Sequence, residues 1–194
     1  ATIGTLLGGS VLRLSSLAIS NNPISNDGFM PPFCMALRAN PVATLLCLML
    51  AGNQIGSAGA EALAATLRRG VFPALQILQL GDNPLGNDGV AKLAAPLRAH
   101  PRLTSLFLYR CEMDDEGVQS LVGGLRPDEF RALDMLWLGS NRITDAGVNT
   151  LLAGITSGAL PGLTRHERLM LRDTSASGSV LGAVGNALNA RAAA

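Results

Sequence analysis

The chain has 194 residues, of which 48% are hydrophobic, 15% charged and only 4% aromatic, and its 15 basic and 14 acidic side chains leave a formal charge of +1. A near-neutral balance without a basic run speaks against a nucleic-acid or anionic-membrane binder. Scarce aromatics mean that any core is built from Leu and Ala.

In residues 1–13, Ile3, Leu6 and Leu7 share one face of a helix with no strand before it, the expected tail of a preceding unit. From residue 14 one pattern recurs. The first copy holds Leu14, Leu17, Ile19, Asn22, Ile24 and Gly28, and its helix must place Pro31 and Pro32 in the first turn. The second holds Leu45, Leu48, Leu50, Asn53, Ile55, Gly59, Leu63 and Leu67. The third is the clearest, with Leu75, Leu78, Leu80, Asn83, Leu85, Gly89, Leu93 and Leu97. Its first half steps by two and its second by four, so each unit predicts a strand, a turn and a helix. The fourth carries Leu103, Leu106, Leu108, Cys111, Met113, Gly117, Leu121 and Leu125, the fifth Leu133, Leu136, Leu138, Asn141, Ile143, Gly147, Leu151 and Ile155. Residues 161–194 form a degenerate sixth copy, in which Leu169 and Leu171 continue the strand, Thr174 replaces the Asn and His166 stands where earlier units have Leu.

These units resemble the leucine-rich repeat. Their length and the pattern L-x-L-x-x-[NC]-x-[IL]-x-x-x-G-x-x-x-L are similar to its ribonuclease-inhibitor-like subclass, over residues 14–174. The resemblance implies an α/β solenoid in a horseshoe arc, with a parallel β-sheet on the concave face and α-helices on the convex face. It also implies one domain over 1–194, with five clear repeats in 14–160.

Within that arrangement the repeated Leu side chains face the helices, and no unit buries them without its neighbours. The Asn at each strand end turns its amide inward to serve backbone groups of the bend, and Cys111 replaces it in the fourth unit as a small hydrophobe with a weak donor. Short polar residues stand before each recurrent Gly: Ser25 to Asp27, Ser57, Asn87 and Asp88, Asp114 to Glu116, Thr144 and Asp145. They read as helix caps. A cation held by Asp114, Asp115 and Glu116 would need further oxygen ligands from elsewhere. No zinc-type cluster, phosphate-cradling glycine motif or nucleophile motif occurs, so neither metal nor cofactor nor catalysis is expected.

Cys34, Cys47 and Cys111 are an odd number without a C-x-x-C pair, which fits a reducing, cytoplasmic setting. The N-terminal stretch lacks the build of a signal peptide, and the longest apolar run, near Val42–Ala51, is too short to span a bilayer. Cys47 is expected to point away from the core as an unreactive surface thiol.

Residues between the Leu positions point into the hollow of the arc. They form three columns: Ser16, Cys47, Ile77, Ser105, Met135, Arg168; then Ala18, Met49, Gln79, Phe107, Trp137, Met170; then Ser20, Ala51, Gly81, Tyr109, Gly139, Arg172. The sole Trp and sole Tyr fall here. The repeat does not require such side chains, and Trp, Tyr and Arg are the types that most often carry binding energy. Met49, Ile77, Gln79, Phe107, Tyr109, Met135, Trp137, Met170 and Arg172 are therefore the candidate site for a protein partner, with Arg110, Arg142 and Asp173 at its rim. The alternative is that the same side chains lie flat over Gly81 and Gly139 and stiffen the sheet. The leading expectation is a non-catalytic protein-interaction module. The resemblance also admits a GTPase-activating or GTPase-regulatory protein, for which an accessible Arg110 or Arg142 would be needed, and the sensing arm of a larger nucleotide-binding switch protein.

Overall fold

The computed structural model describes residues 14–22, 30–39, 42–126 and 128–192. The expected tail in 1–13, and Ile24, Ser25 to Asp27 and Gly28 of the first unit, lie outside them. The strands are short: β1 Ser16–Ala18, β2 Cys47–Met49, β3 Ile77–Gln79, β4 Ser105–Phe107, β5 Met135–Trp137 and β6 Leu169–Met170. Between and after them run α1 Met30–Ala39, α2 Ser57–Arg68, α3 Gly86–Arg98, α4 Asp115–Val122, α5 Asp145–Thr156 and α6 Gly178–Ala192, with a 3-10 turn at His166–Arg168 just before β6. All six strands form one parallel sheet in chain order.

The register follows from the repeat. Leu17, Leu48, Leu78, Leu106, Leu136 and Leu169 lie side by side across the six strands. Leu48, Leu78, Leu106 and Leu136 have no solvent exposure, because a neighbouring repeat covers them on either side. Full burial of one such side chain stabilises by roughly 1.5–3 kcal/mol. The helices close the other wall with Leu63, Leu93, Leu121 and Leu151.

The Asn side chains form a continuous ladder beneath the bends. Asn83 Nδ2 donates to Leu50 O and Leu80 O at 2.9 and 2.8 Å, while its Oδ1 accepts from the N–H groups of Asn53 and Ile55, both at 2.9 Å. Asn53 and Asn141 repeat the arrangement. Each amide thus ties its own strand to the preceding repeat. At the fourth rung Cys111 Sγ donates to Leu80 O at 3.3 Å, and burial pushes its thiol pKa up to about 12. The residue before each anchor takes a left-handed backbone, at Asn21, Gly52, Asp82, Arg110, Ser140 and Asp173. That conformation turns the chain out of the strand.

The polar residues at the helix starts do more than cap their own helices. Asp114 accepts from Glu116 N at 2.9 Å and Thr144 from Ala146 N at 3.3 Å, as capping predicts. Asn87, Asp115 and Asp145 instead reach the next repeat: Asn87 Oδ1 takes the N–H groups of Asp114 and Gly117, Asp115 Oδ1 those of Thr144 and Gly147, and Asp145 Oδ1 that of Ser177. A second ladder therefore links the helix starts.

Arginines knit the other helix ends. Pro96 lacks the N–H that would bond Lys92 O, and Arg68 of the neighbouring helix donates to that carbonyl at 3.3 Å. The short α4 leaves carbonyls bare at its end, and Arg98 donates to Ser120, Leu121 and Gly123 O at 2.7–3.0 Å while Glu129 lies 3.8 Å away.

Candidate interaction surface

Pleating forces the residues flanking each central Leu onto the opposite face of the sheet. The strand pairing puts Ser16, Cys47, Ile77, Ser105 and Met135 in one row, and Ala18, Met49, Gln79, Phe107, Trp137 and Met170 in the next. Just past the strand ends come Ser20, Ala51, Gly81, Tyr109, Gly139 and Arg172. The nine residues singled out in the sequence thus share this face. Arg168, expected in the first row, closes the 3-10 turn that leads into β6.

The face is packed within itself. Phe107 is only 9% exposed, and its ring centroid lies 4.8 Å from that of Trp137 at an interplanar angle of 77°. This edge-to-face pairing, where parallel stacking also fitted the register, contributes about 0.5–1.5 kcal/mol beyond area burial. Met49, Ile77, Gln79, Met135, Trp137 and Met170 are half-buried and Arg172 is exposed. Cys47 is 7% exposed, so it is a covered thiol and not the surface thiol expected from its column, and burial raises its pKa. Ser16 of the same row hydrogen-bonds to it. The large apolar side chains most open among the described residues are elsewhere, Met35 on α1 and Leu46 just before β2.

Tyr109 lies across Gly81, where a Cβ would come within 2.3 Å of its ring. Burial, with the charge of Asp82 second, raises the Tyr109 pKa, so the phenol stays protonated. Trp137 Nε1 is buried and has no acceptor among the described residues. Around it, Tyr109, Gly139, Met170, Arg172 and Asp173 line a pocket of about 370 Å3. Two ion pairs flank the aromatic cluster: Arg110 with Asp82 at 3.5 Å and Arg168 with Asp134 Oδ2 at 2.7 Å. Asp82, Asp134 and Leu46 were not singled out in the sequence. Both Asp partners sit about one repeat length from their Arg, and that spacing was the available signal.

Among the described residues, no group of three His, Cys, Asp or Glu side chains is placed to hold a metal ion. No helix among them is long and apolar enough to cross a membrane. Asp114 and Asp115 are engaged at helix starts, as given above.

A sequence model described as "Leucine Rich repeat" matches residues 43–64 and 73–94. No curated protein matches the chain. Among solved structures the chain is similar to an internalin from Listeria monocytogenes, with 22% identity and a TM-score of 0.48, over 90% of this chain and 36% of that one. The chain therefore spans little more than a third of that protein's length. With six parallel strands in one open sheet alternating with helices, the fold is an α/β leucine-rich-repeat solenoid.

Proposed function

We propose that this chain is a non-catalytic protein-interaction module whose concave face binds a protein partner. The observation that carries the reading is the Phe107–Trp137 pair with Tyr109 beside it, at positions whose counterparts in the other repeats are not aromatic: Ala18, Met49, Gln79 and Met170, and Ser20, Ala51, Gly81, Gly139 and Arg172. The stack does not need aromatic side chains there, since the other repeats hold register without them. Solenoids of this kind use their curved inner face as an extended binding surface. Met49, Ile77, Gln79, Met135, Met170 and Arg172 extend the same surface. Tyr109 lying across Gly81 is the observation that favours the alternative, in which these rings cover the sheet and stiffen it.

In this reading residues 14–160 are five repeats and 161–194 a degenerate sixth, in one domain of the ribonuclease-inhibitor-like subclass. The helices of 8–15 residues on the convex side support that subclass. All three cysteines are unpaired, which supports a reducing, intracellular setting. Six strands at about 4.8 Å spacing give a hollow roughly 25 Å long, which suits a helix, loop or tail of a partner. Replacing Phe107, Tyr109 and Trp137 together by Ala should abolish specific capture of partners from lysate, read by mass spectrometry, with the circular dichroism unchanged. Capture equal to that of the unaltered chain refutes the proposal.

A further inference from the structure

Two glycines of one column leave different spaces. At Gly81 the Tyr109 ring fills the room a side chain would take, 2.3 Å from a Cβ placed there. At Gly139 the atoms nearest such a Cβ belong to the Arg172 backbone, its carbonyl oxygen at 2.8 Å. Because Tyr109 leans over Gly81, the slot above Gly139 is left to the pocket of about 370 Å3 that Trp137, Met170, Arg110 and Arg172 also line. Ser140 N–H donates to Arg172 O at 2.7 Å and fixes the spacing of its walls. Donors around this pocket lack acceptors. Trp137 Nε1–H is buried and unpartnered among the described residues. The exposed Arg172 side chain has neither hydrogen bond nor ion pair among them. Arg110, by contrast, is held by Asp82 at 3.5 Å, and Asp173 accepts from Ser140 Oγ at 3.4 Å.

We infer that this pocket receives an Asp or Glu side chain from a partner segment laid along the hollow, its carboxylate taken by Arg172 and the Trp137 N–H. The inference rests on the reading of the concave face as the binding surface and names the chemistry that this face selects. A carboxylate brings the acceptors that the indole lacks, and it pairs with a guanidinium through two parallel hydrogen bonds. Its single charge matches the one guanidinium left without a partner. Asp82 and Asp173 at the rim repel a doubly charged phosphate group, and Arg110 and Arg172 repel a cation. Trp137 Nε1 is covered at rest. Met170, opposite Trp137 in the register and lining the same pocket, is unbranched and repacks readily, and its displacement opens the N–H to the incoming oxygen.

Selection from a random peptide library on the unaltered chain, with the Phe107, Tyr109, Trp137→Ala triple variant as counter-selection, tests this. Enriched peptides should share an Asp or Glu. Replacing that residue by Asn or Gln should weaken binding about ten-fold or more, the size of a charged hydrogen bond. Arg172→Gln, at an exposed position that leaves the fold intact by circular dichroism, should lose the same factor for the acidic peptide and nothing for its neutral counterpart. The chain has one Trp, so its indole N–H gives a single proton–nitrogen NMR cross-peak. At saturation that peak should lie further downfield with the acidic peptide than with the neutral one. Enriched peptides without a shared acid, or an indole peak that the acidic peptide leaves in place, overturn the inference while the concave-face reading stands. Equal enrichment on the triple variant, or none on either chain, overturns both.

Discussion

Two columns of residues run side by side across the same six strands and behave in opposite ways. The central column is Leu in every strand, from Leu17 to Leu169, and its inner members have no exposure. The adjacent column runs Ala18, Met49, Gln79, Phe107, Trp137, Met170, a different residue in nearly every strand. Both sit on the same backbone in the same register. What differs is what lies opposite: a close-packed helix wall on one side, an open hollow on the other. A repeated environment demands a repeated residue, and where that demand is lifted the sequence is free to encode a contact.

The largest effect should come from breaking the repeated column. Leu106→Ala removes a fully buried side chain and should lower unfolding stability by about 3–5 kcal/mol, measured by urea denaturation. Asn83→Ala comes next. It strands the Leu50 and Leu80 carbonyls and the Asn53 and Ile55 N–H groups, and should cost about 3 kcal/mol by the same measurement.

A pair of glycines sharpens the point with opposite signs. In Gly147→Ala the new Cβ would fall 2.4 Å from Asp115 Oδ1, in the space where the previous repeat reaches across, so the melting temperature should drop. Gly182→Ala, on α6 with nothing within 4 Å, should raise stability by roughly 0.5–1 kcal/mol through helix propensity. On the hollow side, Trp137→Ala should cost about 2 kcal/mol, the ring pair and the half-buried indole contributing about equally.

Thiol chemistry separates the hollow from the interior by rate. Burial raises the pKa of Cys34, Cys47 and Cys111, the last to about 12. Iodoacetamide at pH 8 should modify Cys47, on the hollow, before Cys111, which should react only on unfolding. The sign for stability follows from the raised folded pKa of Cys111: its contribution is complete below the ordinary thiol range near 9 and is lost as pH rises through about 12. Substituting Cys111→Ser should therefore flatten the alkaline arm of the stability profile.

The strand, turn and helix of each unit were legible because the Leu, Asn and Gly positions recur, and so was the face on which Phe107, Tyr109 and Trp137 lie. The interactions between repeats were less legible. Asn87, Asp115 and Asp145 look like caps of their own helices, and only stacking shows that they serve the next one. The left-handed residues Asp82, Arg110, Ser140 and Asp173 share no residue type, so composition gave no sign of them. Exposure of the hollow was overestimated at Phe107 and Cys47 because side chains within a row cover one another, a property of neighbours and not of the column.

The most direct test sets the buried column against the hollow side at β4 and β5. Leu106→Ala and the Phe107, Tyr109, Trp137→Ala triple variant are compared by circular dichroism and by capture of partners on the folded protein. The account predicts a crossed result: Leu106→Ala loses stability and keeps its partners, while the triple variant keeps its fold and loses them. A triple variant that unfolds, or that still captures the same partners, would contradict it.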